Sequence, residues 1–478
     1  MKLLISEHRA FKIKNDYDNQ EENNPFCFSE RQFSLISPGN RRILRKERNK
    51  PIYPFLLEKQ DDLTFRITAD YYVGIDWLIP EEKFLQVEPK VNLVVIKRFE
   101  DIDSAESEDA DSLPTEPPAI SPTETLSEVD YLKMLLVAYS SNISQHYLDN
   151  LIVIDWDAPL IPIDQIDDQL TPFLIVQFLN YLKSIVRKGL KKLYYRVEEN
   201  VHNRVRGKIM ISAQIKQNVS KLKHDYTYCA YQAFGDDNIE NRFLKKVLRF
   251  SSSYVEAHSQ LFHSNIDNIQ QLIAYCRPVF NNVGDQIEEF ELKQVPHNPF
   301  FKEYKDAIKC GAMILKRFAY NISKTAEETV ATPPFWIDMP RLFELYVYQL
   351  LLKENGENAN KIKYQFSTYG NHLDFLISDG KNSMVVDAKY KLHYNHGLLH
   401  QDIRQVAGYA RLNKVLNDVY SVADSNKKDE VLPCLIIYPD PQLKDFPMFK
   451  IDSLLLQANE LRAYHKIYKL AVPLPIIQ

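Results

Sequence analysis

Two aspartates and a lysine in one short stretch have the types and spacing to do chemistry on a phosphate. The segment from His372 to Lys389 reads as two apolar strands joined by a four-residue loop, Asp379 to Asn382. That loop pairs Ser378 with Ser383, Leu376 with Val385, Asp374 with Asp387 and His372 with Lys389. Residues facing each other across an antiparallel pair have Cβ atoms roughly 4.5–5.5 Å apart, and like charges there repel. Asp387 and Lys389 are two apart and share a face of their strand. Two opposed carboxylates beside an ammonium stabilise a sheet poorly, unless a divalent cation lies between them, since hard cations take oxygen ligands. A lone Asp-x-Lys is usually a solvated edge. Here Leu373, Phe375, Ile377, Met384, Val386 and Ala388 are apolar, and so are Leu376 and Val385 on the acidic face, so both strands read as buried on two sides.

The neighbouring elements supply further polar groups. Residues 338–354 read as a helix with Asp338 as N-cap and Pro340 in its first turn. Its Glu344 shares a face with Val347, Tyr348 and Leu351 and is expected to point inward. A second helix begins at Asp402, and its Gln405 and Tyr409, at i and i+4, project side by side. The expected order is helix 338–354, strands 361–368, 372–378 and 383–390, helix 402–417, strand 432–438 and a terminal helix near 451–463. A strand–helix–strand ending implies a parallel crossover onto the hairpin, hence a mixed central sheet with flanking helices.

An Asp followed by Asp-x-Lys is the signature of PD-(D/E)xK nucleases, and Gln-x-x-x-Tyr follows that strand in their RecB-like branch. In such a site Asp374, Asp387 and the carbonyl of Ala388 would hold a metal that polarises a phosphoryl oxygen and acidifies its bound water. Lys389 would orient the water or offset charge on phosphorus. Glu344 would hold a second metal or a metal-bound water, and Gln405 and Tyr409 would position the DNA or support the lysine. Mg²⁺ suits an all-oxygen site that keeps several waters, with Mn²⁺ as a substitute in vitro.

With these residues in place the chain resembles the McrC family, the endonuclease subunits of McrBC-type systems that cut modified DNA. The resemblance rests on the run from Leu342 to Val347, on Asp374, on Asp387 to Lys391 and on Asp402 to Ala410. Upstream it rests on Arg206 to Ile209, Cys229 to Tyr231 and Asn241 to Lys245. It extends from about residue 170 to the end. The family's counterpart of Asp374 usually follows a proline, whereas Leu373 stands here. The resemblance implies an AAA+ GTPase partner, contacted through the N-terminal half, whose hydrolysis this chain stimulates. That partner would find the DNA, often at methylated cytosine. No Gly-x-x-x-x-Gly-Lys-Ser/Thr loop occurs in the sequence, so a nucleotide-driven step must come from another polypeptide.

The wider composition bounds the rest. At 478 residues, 45% hydrophobic, the chain can build two to four domains. The pattern predicts a multidomain α+β protein: a β-rich N-terminal domain over 1–98, an acidic Ser/Pro-rich linker or loop over 99–126, a mainly helical central domain over 127–330, and a C-terminal α/β PD-(D/E)xK nuclease domain over 331–478. Five widely spaced cysteines make no zinc or disulfide pattern, the first residues meet charge too soon for a secretion signal, and a reducing cytoplasm is the expected setting.

A net charge of −5 argues against indiscriminate coating of nucleic acid, yet residues 183–223 hold twelve Lys or Arg against Glu198 and Glu199. Arg187, Lys188, Lys191, Lys192, Arg196, Arg204, Arg206 and Lys208 are candidates to follow a phosphate backbone, with a solvated face as the plain alternative. The aromatic stripe Tyr194, Tyr195, Tyr226, Tyr228 and Tyr231 is expected in a core, near a β-hairpin projecting between Arg206 and Tyr231. Two other functional readings stay open: an adaptor that activates a motor while its own site is vestigial, and a stand-alone nuclease. Double-strand cleavage would need two copies or two sequential nicks.

Overall fold

A computed structural model of the chain describes residues 2–7, 10–15, 26–36, 43–47, 50–92, 126–139, 151–284, 286–287, 301–319, 329–368, 370–391, 396–420, 431–441, 443–461 and 463–477. The linker expected over 99–126 lies outside these residues except for Leu126. Two compact units result: Met1–Asp167 together with Thr329–Gln478, and Asp168–Glu328.

The N-terminal part of the first unit is β-rich. It contains β1 (Lys2–Ser6), β2 (Ala10–Asn15), β3 (Cys27–Phe28), α1 (Glu30–Leu35), β4 (Arg45–Glu47), β5 (Lys50–Ile52), β6 (Phe55–Asp61), β7 (Thr64–Ala69), β8 (Tyr72–Ile79), β9 (Lys83–Glu88), β10 (Lys90–Asn92), β11 (Leu126–Glu128), α2 (Tyr131–Ala138), β12 (Ile152–Ile154) and β13 (Ile161–Asp164). Period-two burial along β7 sends Phe65, Ile67 and Ala69 into a core shared with Ile13, Phe55, Leu85 and Val87. Ser29 starts α1 with a capping box closed by Gln32.

The second unit contains α3 (Leu170–Lys188), β14 (Leu193–His202), β15 (Lys208–Ile209), α4 (Ile211–Gln217), β16 (Tyr226–Gly235), α5 (Ile239–Ala257), α6 (Ile266–Cys276) and α7 (Lys302–Ala319). Helix α3 is apolar nearly all round because α6 and α7 both pack on it. Asp168 opens this unit: it accepts from Thr171 N–H and from Thr171 Oγ1, and Arg317 of α7 donates to it at 2.7 Å with both side chains buried. Within the range expected for a hairpin, Arg206 to Tyr231, β15 pairs antiparallel with β16, with Lys208 facing Ala230 and Ile209 facing Cys229; the other edge of β16 carries a ten-residue pairing with β14. None of the five stripe tyrosines is buried, and Tyr194 is 73% exposed against Phe234. The sheet buries Val201, Cys229 and Ala230 and leaves these tyrosines partly or largely in solvent, which corrects the core assignment.

The chain then returns to the first unit with β17 (Thr329–Thr332), β18 (Phe335–Asp338), α8 (Met339–Asn355), β19 (Ile362–Thr368), β20 (Asn371–Ile377), β21 (Met384–Ala388), α9 (His396–Tyr409), α10 (Asn413–Val419), β22 (Cys434–Asp440), α11 (Leu454–Gln457), β23 (Asn459–Glu460) and β24 (Ile467–Pro473). Six of these strands form one mixed sheet in the order β19-β20-β21-β22-β24-β23. Strands β21, β22 and β24 run parallel, and their neighbours antiparallel. The terminal helix shrinks to Leu454–Gln457, and β24 was not anticipated; its buried Ile467, Leu470 and Val472 cover the sheet beside β22.

The expected division at 127 and 330 also differs from the observed grouping. Strand β18 lies between β8 and β12 in a five-stranded sheet ordered β1-β9-β8-β18-β12, and β17 pairs with β13. Trp336 of β18 sits in the N-terminal core and donates to Asp76 Oδ2 at 3.2 Å. Gly74 permits this pairing, since a Cβ there would stand 2.1 Å from the Phe335 carbonyl oxygen.

Removing one partner of a buried ion pair leaves the other charge uncompensated, so Arg317→Ala should destabilise the protein by about 3–5 kcal/mol. Denaturant unfolding measures this, and a loss below about 1 kcal/mol would show that Arg317 does not hold the second unit together.

Candidate active site

The β20–β21 ladder has the expected register: Ile377 faces Met384, Leu376 faces Val385 and Phe375 faces Val386. It stops one pair before Asp374 and Asp387 and does not reach His372, which pairs with Ser367 of β19. In place of the next ladder bond, Asp374 Oδ2 accepts from the Ala388 N–H at 2.8 Å. The Asp374 side chain is thereby fixed at the open end of the two strands, next to Asp387.

Asp387 is 1% exposed because β21 is interior to the sheet and Asp387 lies beside Ile436 of β22. Its Oδ2 stands 2.8 Å from Lys389 Nζ, an ion pair, yet the angles leave that buried oxygen without a hydrogen-bond donor. Lys389 is held where β21 ends, its N–H donating to Ile437 at 2.8 Å. Its Nζ also donates to Gln405 Oε1 at 3.1 Å, and Gln405 Nε2 donates to Tyr409 OH at 2.7 Å. The i,i+4 pair of α9 therefore supports the lysine.

Asp338 caps α8 by accepting from Arg341 N–H at 3.1 Å, which sets the helix phase that brings Glu344 to the site. Glu344 accepts from Gln365 Nε2 and from the Tyr364 hydroxyl. Its carboxyl is raised to about 7, by burial first and by Asp387, against the Gln365 and Tyr364 donors and Arg341. Burial likewise holds Asp374 well above the usual carboxylate range, with Glu344 and Asp387 adding repulsion and Lys389 and the Ala388 N–H opposing it. Burial disfavours the Lys389 ammonium, but Asp387 and Asp374 outweigh that and raise its pKa.

Sequence reasoning passed over three contributors. Gln365 and Tyr364 reach Glu344 from β19, and nothing in a strand pattern marks them as site residues. Asp402, buried in α9, binds Lys391 Nζ through both oxygens at 2.7 and 2.8 Å. Burial raises the Asp402 pKa while Lys391 and Lys389 lower it. Lys389 with Gln405, and Lys391 with Asp402, thus make two rungs between the end of β21 and α9.

Among the described residues, no group of three or more His, Cys, Asp or Glu side chains is placed to hold a metal ion. Glu344 and the two aspartates are therefore not one preformed ligand set. The donor chemistry still suits a divalent cation: a buried Asp387 oxygen lacks a donor, and two neighbouring carboxylates resist ionisation together.

The basic residues fall in the second unit. Arg187, Lys188, Lys192, Arg196, Arg204, Arg206 and Lys208 are exposed. Lys188 pairs with Glu303, Arg196 with Glu198, and Arg206 stacks on Tyr231. Lys191 corrects the expectation: it is 4% exposed, bound to Glu240 and shut away from any phosphate.

Comparison with known proteins adds one decisive finding. A family model described as "McrBC 5-methylcytosine restriction system component" matches residues 157–421, more than half of the sequence. The chain belongs to this family. No curated protein matches it. Among solved structures, a half-complex from a tetradecameric assembly of Thermococcus gammatolerans McrB AAA+ hexamers with bound McrC is 16% identical. It matches 99% of this chain and 94% of that one at a TM-score of 0.35. A cryo-EM structure of the Thermococcus gammatolerans McrBC complex is 17% identical over 74% of this chain and 88% of that one, at 0.27.

In this McrBC-family chain a further buried acid lies next to the site. Glu7 accepts from Tyr390 OH at 3.4 Å, directly after Lys389 in sequence, and Tyr390 packs against Tyr71 and Phe343. The Glu7 carboxyl is raised to about 8, chiefly by burial with Asp70 adding to it and the Tyr390 hydroxyl opposing it. An acid whose folded pKa exceeds its unfolded value binds more protons when folded, so stability falls as pH rises from about 4.5 to about 8. Glu7→Gln should match the wild-type thermal midpoint at pH 4.5 and exceed it at pH 8.5. Parallel midpoints at both pH values would show that Glu7 carries no buried charge.

Proposed function

We propose that this chain is the Mg²⁺-dependent DNA endonuclease subunit of a McrBC-like restriction system, cutting modified DNA with an AAA+ GTPase partner whose hydrolysis it stimulates. The observation that carries the reading is the meeting of Asp374 and Asp387 at the open end of β20 and β21, with Lys389 Nζ 2.8 Å from Asp387, in a chain of this family. Asp374, Asp387 and the Ala388 carbonyl would hold the metal, with waters completing its shell and Glu344 holding a metal-bound water or a second ion. When bound, Mg²⁺ would polarise the phosphoryl oxygen and acidify a water.

The protein's own groups then have separate tasks. Lys389, kept protonated by its two aspartates, presents an ammonium to the charge that develops on phosphorus. Gln405 and Tyr409 fix the height of that ammonium. The absence of a phosphate-cradling loop from the sequence supports a division of labour in which the partner hydrolyses nucleotide. The partner's contacts are assigned to the N-terminal half. No helix of the described residues is long and apolar enough to cross a membrane, and a cytoplasmic setting is part of this reading.

The test is cleavage of a methylated plasmid by the chain with its GTPase partner, GTP and Mg²⁺. Asp387→Ala should abolish cutting and spare stimulation of GTP hydrolysis. Lys389→Ala should slow cutting by roughly 10³-fold, about 4 kcal/mol of barrier. A wild type that stimulates hydrolysis and never cuts would make the chain an adaptor. Cutting without nucleotide would make it a stand-alone nuclease.

The exposed basic residues are assigned to the DNA backbone, which they would position without reading sequence. Neutralising Lys192, Arg196 and Arg204 together should flatten the salt dependence of DNA binding by about 0.9 log units per lost phosphate contact. An unchanged slope would return them to the solvent.

A further inference from the structure

Of the six described non-glycine residues with positive φ, Gln365 is the one inside a strand. Its φ of 51° lies in the left-handed region, which L-residues enter at a cost and which concentrates at functional sites. The register shows where it lies. Tyr364 faces Phe375 and Phe366 faces Leu373, so Gln365 stands across from Asp374, and no residue is inserted on either side.

The twist reverses the faces of β19. Tyr364 stacks on Tyr348 of α8 with ring centroids 4.6 Å apart, and on Phe375. Phe366 instead packs against the cluster that holds Ile403, Val406 and Val415 of α9 and α10, and Lys414 of α10 lies 5.3 Å over its ring. Residues two apart in a regular strand share a face; these two do not. The consequence is chemical. Tyr364 and Gln365 are consecutive, and in a regular strand they would point to opposite sides, yet both donate to the Glu344 carboxylate.

Glycine would take this backbone conformation without a Cβ penalty. A strained glutamine whose amide ends on an acid of the site is a different solution. We infer that Gln365 is a positioning residue: its left-handed backbone turns the amide onto Glu344 and aims that carboxylate at the Asp374–Asp387 pair, where it serves the divalent cation. This rests on the endonuclease reading and adds to it the residue that sets the third acid.

Two variants of the full chain test it. Gln365→Gly removes the amide and relieves the backbone. Gln365→Asn keeps an amide and tolerates the left-handed region, but is one methylene too short. The readouts are the metal-free thermal midpoint, the Mg²⁺ concentration giving half of the Mg²⁺-induced midpoint shift, and cleavage with the partner. Removing a partner that orients a metal-binding group typically costs about 10–100-fold in metal affinity or activity. Gln365→Gly should keep or raise the metal-free midpoint, increase half-saturating Mg²⁺ by about 10-fold, and lower kcat by about 10-fold or more with the KM for DNA unchanged. Gln365→Asn should repeat the last two effects.

A wild-type Mg²⁺ response and kcat in both variants overturns the inference. So does a Gln365→Gly midpoint well below wild type with activity lost in proportion to the unfolded fraction, which is the behaviour of an ordinary strand residue. Asp387→Ala, measured alongside, separates this from the parent reading. If Asp387→Ala leaves the Mg²⁺ response intact and wild type never cuts, the endonuclease reading falls; if Asp387→Ala loses both and Gln365→Gly loses neither, only the role of Gln365 falls.

Discussion

Three carboxylates drawn together, Asp387 buried and Asp374 and Glu344 half-buried, constrain everything around them. Asp387 is buried beside Ile436 of β22, and Asp374 is tied to the end of β21 by the Ala388 N–H. Glu344 arrives from a different element, α8, and its charge is felt by Asp374. Burial and mutual repulsion both oppose ionisation of Glu344 and Asp374, and the Lys389 ammonium offsets part of this at Asp374. Such a grouping is unfavourable for folding, so the scaffold that imposes it must be rigid. A six-stranded mixed sheet with an apolar core of Leu373, Leu376, Val385, Val406 and Ile436 supplies that rigidity.

The same constraint accounts for the helix on the other side of the lysine. Two rungs, Lys389 to Gln405 and Lys391 to Asp402, join the residues that follow β21 to one face of α9. A single contact would leave the long lysine side chain several rotamers. Two contacts spaced i,i+2 along the strand exit and i,i+3 along the helix leave one relative orientation. The burial of Asp402 makes its bond to Lys391 costly to break.

Much of this site was legible in the sequence, for a local reason. A hairpin with a short loop and a period of two has a register that apolar residues fix, so Asp374 and Asp387 could be opposed without coordinates. Gln405 and Tyr409 follow from the helical repeat alone. What could not be read depends on remote partners. Lys191 looks like any cation in a basic run until Glu240, 49 residues on, takes it into the interior. Tyr194 and its neighbours look like a core stripe because the sequence does not say which side chains of their sheet stay in solvent. Gln365 carries no signal because left-handed backbone in a non-glycine residue has none. Strand β24 lacks one too: its residues read as a strand only once β22 is known to lie beside them.

Strand β18 leads straight into α8, since Asp338 ends the one and caps the other. The helix that carries Glu344 is thereby anchored in a sheet of which three members, β1, β8 and β9, come from the first 90 residues and a fourth, β12, from Ile152–Ile154. A gene fragment beginning at β18 would encode both aspartates and Glu344 and still lack the sheet that anchors the third acid. The part of this protein that carries the candidate site is therefore not a cassette that recombination can lift out intact: on the ribosome, the opening residues must wait for the strand that follows residue 330 before their sheet closes.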